Sequence, residues 1–132
     1  MKWVDIVLKV VLSLILVLPI LGTIGVGPPP TRDLYNTDQA FQFIETLNEV
    51  RYISFIMGVV HVLALVSLWS RRTALAALLI LPITVNVVGF HLVLDGGVLT
   101  GGAVLGNVML LLNAYFLWQQ RRQYAPLLVA TS

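Results

Sequence analysis

Four long, uncharged apolar runs, separated by short segments that hold nearly every charge, fix the solvent this 132-residue chain can fold in. The runs extend from about Val10 to Gly27, Tyr52 to Ser70, Thr73 to Leu94 and Val98 to Trp118. A bilayer core is ~30 Å thick, and a helix rising 1.5 Å per residue crosses it in about 20 residues. Each run is long enough to span. Hydrocarbon offers no partner to a bare peptide group, so each span is expected to be helical. The fold class that follows is an all-α membrane protein. It is an antiparallel, up-and-down bundle of four transmembrane helices, over about 6–27, 52–70, 73–94 and 98–118, in one domain covering 1–132.

Composition agrees. The chain is 58% hydrophobic and 11% charged, against about 25% charged in soluble domains. Its net charge of +2 comes from residues that flank spans and form no groove, so nucleic acid is not an expected partner. With no cysteine, the chain cannot hold an iron–sulfur cluster or a thiolate zinc site, and it cannot run a thiol relay. The cysteine-dependent four-helix enzymes that form disulfides and reduce quinone are excluded on that ground.

Lys2, Lys9, Arg71, Arg72, Arg121 and Arg122 share one side of such a bundle, and only Arg32 and Arg51 lie on the other. The positive-inside bias therefore expects a cell-membrane protein, multi-pass, with both termini in the cytoplasm. Trp3, Trp69 and Trp118 fall at the same ends, as interfacial indoles do. A cleaved secretory signal is the alternative reading of the first run, from Lys2 and the small residues Gly25 and Gly27. Asp5 and Pro28 argue against it.

The outer connection, 28–51, opens with Pro28-Pro29-Pro30, which ends the first span. Asn36 is expected to cap a short helix, with Gln39 reaching back. From Asp38 to Arg51, Phe41, Ile44 and Leu47 recur at helical spacing, with Phe43 and Val50 beside them. This segment is read as a short amphipathic helix, with the option of running unbroken into span two. The Arg71-Arg72 connection makes spans two and three a tight pair, and Asp95-Gly96-Gly97 turns span three into span four. Residues 119–132 form a cytoplasmic tail.

Polar and small residues within the spans mark buried faces. Ser54, Gly58 and His61 form one stripe on span two. Gly102, Gly106 and Asn113 form another on span four, with Asn107 beside it. These glycines and asparagines are read as helix packing and interhelical hydrogen bonding, and the glycine stripe also permits a homo-oligomer. On span three, Pro82, Asn86 and Gly89 share one face, while Thr84, His91 and Asp95 share another. His91 and Asp95 stand at i and i+4, where a carboxylate can orient an imidazole. His91, Asp95, Asn86 and His61 are thus the candidate polar or ligand site; no catalytic residue is identified. His61 would lie ~15 Å from the outer edge and His91 ~5 Å, which disfavours a haem held between them. Two histidines without a third convergent ligand also make no metal site.

The triple proline, the Pro82-Ile-Thr-Val-Asn86 run and Phe90-His91-Leu92-Val-Leu94-Asp95 resemble the DoxX-like family of small four-helix membrane proteins, over roughly residues 10 to 122. The resemblance implies a membrane subunit of a quinone-linked oxidoreductase complex, with quinone as the possible ligand and a redox protein as partner. One departure is that His61 stands where the family often has a glutamate. Two other readings stay open: a non-enzymatic scaffold or assembly factor, and a small transporter. Against the transporter, span one lacks the coupling glutamate of four-span exporters.

Overall fold

The computed structural model describes residues 2–130, and every regular element among them is helical. Four helices are long and apolar enough to cross a membrane: α1 (Lys2–Thr23), α3 (Tyr52–Trp69), α4 (Thr73–Val93) and α5 (Val104–Gln119), the last extended by a short turn at Gly101–Ala103. α2 (Asp38–Val50) joins α1 to α3, and α6 (Arg121–Tyr124) follows α5.

The ends differ from those expected. α1 stops at Thr23, four residues before Gly27, because Gly25 and Gly27 take positive φ of 79° and 114°. Glycine alone adopts such angles without a Cβ clash, so the chain turns before it reaches the prolines. The helix of span four begins at Val104, not Val98. Residues 98–103 form a turn that the Asn107 side chain holds, its Nδ2–H donating to the Val98 carbonyl at 2.7 Å. α2 does not run on into α3, because Arg51 sits between them at φ 59°.

α3 packs on α4 and α4 on α5, while α1 lies against α3 and α5. The core at the centre is built from Leu12 and Leu16 of α1, Ala64 and Leu68 of α3, Ala76, Ala77 and Ile80 of α4, and Met109, Leu112 and Phe116 of α5. The alanines let neighbouring backbones approach, and the larger residues fill the space that remains. Outward, large apolar side chains stay bare, among them Leu14, Val66 and Leu111. Water would not tolerate so continuous an apolar surface, whereas acyl chains cover it at no cost.

At one end of the bundle, the basic end, side chains stitch the helices together. Lys9 Nζ donates to the Leu68 carbonyl at 3.3 Å, and Trp69 Nε1–H to Ser13 Oγ at 2.9 Å. Asp5 Oδ1 accepts from Tyr115 Oη and Gln119 Nε2 at 2.7 and 2.9 Å. Tyr124 Oη donates to the Ala74 carbonyl at 2.9 Å, which fixes the start of the tail. Trp3, Trp69 and Trp118 are exposed here, with the Arg121 guanidinium 4.3 Å from the Trp118 ring.

The other end, the loop end, carries residues 24–51 and the α4–α5 turn. Thr37, not Asn36, caps α2: its Oγ1 accepts from the Ala40 N–H at 3.0 Å. Asn36 is drawn elsewhere by Asp95. Along α2, Ala40 is buried and Phe41, Ile44 and Leu47 are half-buried, while Gln42, Glu45, Asn48 and Glu49 are exposed together with Phe43 and Val50.

Candidate functional site

His91 lies in the last turn of α4, and Asp95 is two residues past the helix end. One helical turn between them brings His91 Nδ1 to 3.0 Å from Asp95 Oδ2. A carboxylate can only accept, so Nδ1 carries the hydrogen and Nε2 is the free nitrogen. Asp95 is 1% exposed, and its other groups are occupied as well. Oδ1 accepts from the Asn36 N–H at 2.7 Å, and its backbone carbonyl from Asn36 Nδ2 at 3.0 Å. Thr37 Oγ1 donates to the neighbouring Leu94 carbonyl. Asp95 therefore does two jobs: it aims the imidazole and it fastens the outer connection to α4.

α5 faces this pair with its two glycines. A Cβ on Gly102 would lie 3.6 Å from both His91 Cε1 and Asp95 Oδ2, and one on Gly106 would lie 3.6 Å from His91 Cδ2. Nε2 sits between Cε1 and Cδ2 in the ring, so that edge of His91 is turned toward the glycine stripe. The Gly106 Cβ would also come within 2.9 Å of Val87 Cγ1, closer than side chains pack. Only glycine permits this approach of α5 to α4.

An aromatic group closes the outer side. Phe90 meets His91 edge-on at 5.1 Å, Tyr35 at 6.3 Å and Phe43 at 5.9 Å, and Tyr35 also lies 6.0 Å from Phe41. Burial, and secondly the negative charge of Asp95, push the Tyr35 phenol above its ordinary range. The site thus joins a held imidazole, a close helix approach through two glycines and a cluster of flat rings.

The other candidates lie apart. Asn86 is exposed on the outer face of α4, its Nδ2–H donating to the Pro82 carbonyl of its own helix at 2.8 Å. It does not join His91 and Asp95, because five residues of helix turn it about 140° away from them. His61 is buried midway along α3, with Nδ1 2.6 Å from the Met57 carbonyl, and shares no hydrogen-bond partner with His91. Gly58 packs on Thr23 of α1, where a Cβ would lie 2.9 Å from Thr23 Cγ2. Asn113 donates to the Ala77 carbonyl across the α4–α5 contact at 2.9 Å, whereas Asn107 bonds locally. Gly106 is buried against α4, whereas Gly102 is exposed beside His91 and Asp95. No group of three or more His, Asp or Glu side chains comes together among the described residues.

Sequence reasoning missed Asn36 and Tyr35 as members of the site. Asn36 meets Asp95 across 59 positions, and no local spacing signals that pairing. Phe90 stood in plain sight beside His91, but its rings' partners arrive from another element.

No protein-family model, no curated protein and no solved structure matches this chain.

Proposed function

We propose that the chain is a cell-membrane protein of the DoxX-like type, an antiparallel up-and-down bundle with both termini in the cytoplasm, which serves as a quinone-binding subunit of a redox complex. The observation that carries this reading is the His91 ring, held at Nδ1 by buried Asp95 while its Nε2 edge faces the glycine stripe of α5. When protonated, such a ring donates Nε2–H to a quinone oxygen; as that oxygen takes up electrons, it receives the proton. Two electrons and two protons convert a quinone to a quinol; His91 gives one proton, and the other reaches the second oxygen from water at the membrane interface. The electrons come from a partner redox protein, since this chain has no cysteine and its two histidines stand apart. Tyr35, Phe41, Phe43 and Phe90 offer ring faces for a flat head group to stack on.

The orientation rests on the basic residues gathered at one end of the bundle. The up-and-down arrangement is supported by the contacts that tie the start of α1 to the ends of α3 and α5. The amphipathic reading of α2 is supported by its half-buried row at Phe41, Ile44 and Leu47.

A short-chain quinone titrated calorimetrically into the chain in lipid nanodiscs should bind saturably, and His91→Ala should weaken that binding about tenfold or more. Unchanged binding in His91→Ala would count decisively against this function. A second reading is favoured by the saturation of Asp95 with bonds to Asn36 and His91, which also suits a purely structural latch in a scaffold. On that reading, a partner protein still co-purifies after His91 and His61 are both changed to alanine.

A further inference from the structure

Midway along α3, His61 is 2% exposed and lines a cavity of about 220 Å³ to which all four long helices contribute. Ile15 and Pro19 come from α1, Met57 from α3, Ile83 from α4 and Gly106 from α5, and the imidazole is the one polar side chain on the wall. The Met57 carbonyl can only accept, so His61 Nδ1 carries the hydrogen and Nε2 is left with a bare lone pair. No donor among the described residues reaches that lone pair.

An acceptor without a donor inside apolar walls is costly until a ligand brings the missing hydrogen. The volume sets the size: an apolar cavity of roughly 150 Å³ holds benzene, so this one holds a single ring with a short substituent. Leu18 and Leu105 line it too and are 55% and 53% exposed, so its mouth opens sideways, between α1 and α5, into the lipid. We propose that this cavity is a binding site for a lipid-soluble phenol or alcohol of one-ring size, whose O–H is donated to His61 Nε2. It shares Gly106 with the His91 contact, but neither His91 nor Asp95 lines it, and the proposal stands whether or not that pair meets quinone.

The test compares para-propylphenol with its methyl ether, which has the same shape and no O–H, on the chain in phosphatidylcholine nanodiscs with nitrogen-labelled histidine. The phenol should move the His61 Nε2 resonance, leave that of His91 in place, and bind about tenfold more tightly than the ether. His61→Leu should bring the two affinities together. Equal binding of phenol and ether to the unaltered chain would overturn the proposal, as would a His61 resonance that saturating phenol leaves unmoved. Both of those readings use the unaltered chain, so they decide the matter even if His61→Leu fails to fold.

Discussion

Asp95 uses both carboxylate oxygens and its own carbonyl, two of the bonds holding Asn36 and the third holding His91. Removing the carboxylate leaves the Asn36 N–H and His91 Nδ1–H without their acceptor in a dry place. Asp95→Ala should therefore lower stability by about 2–3 kcal/mol, and Asp95→Asn by less, read from thermal unfolding in detergent. Amide exchange should accelerate first over residues 31–37. Tyr35 gives an independent readout of the same carboxylate. Its raised value means that the folded chain keeps the phenol protonated, whereas the unfolded chain ionises near 10. The stability this confers is complete below that pH and is lost as pH rises through the folded value. The tyrosinate absorbance assigned by difference from Tyr35→Phe should titrate above 10. Asp95→Asn should bring it only part of the way down, because burial is the larger cause.

Glycines in the long helices divide by what they face. Gly106 of α5 is pressed against Val87, whose branched side chain has few rotamers to yield with. Gly106→Ala should push α5 away from α4 and destabilise by about 1–3 kcal/mol, and it should disturb the His91 ring as well. Gly89 of α4 has open space where its Cβ would be. Gly89→Ala should raise stability, by up to about 1 kcal/mol, through helix propensity alone. Unfolding midpoints of the two variants in the same detergent make the comparison; equal effects would show that close packing does not govern the α4–α5 contact. The spacing of Gly102, Gly106 and Asn113 revealed this face from the sequence. Which helix it meets required the fold.

At the scale of the whole molecule, the absence of cysteine makes topology simple to test, since any cysteine introduced is the only one. Ser70, beside Arg71 at the basic end, and Leu99, 98% exposed at the loop end, are both accessible positions. A membrane-impermeant thiol reagent added to intact cells should label Leu99→Cys and spare Ser70→Cys, and after permeabilisation both should react. The reverse pattern would invert the orientation drawn from the basic residues.

The four spans, the polar stripes and the His91–Asp95 spacing were legible in the sequence, because hydropathy and the 3.6-residue period act along the chain. Local chemistry left other choices open. Three prolines mark the end of a span, yet the helix stops sooner, where Gly25 and Gly27 allow the turn. Asn36 and Thr37 are both good caps, and Asp95 decides between them by taking Asn36. Asn86 reads as a buried polar residue until the packing of α3 and α5 on α4 leaves it facing out. Periodicity tells which residues share a side of a helix, but not which side has a neighbour. That was decided by tertiary structure alone, as was the meeting of Tyr35, Asn36, His91 and Gly102, because such contacts depend on how four helices fill one volume together.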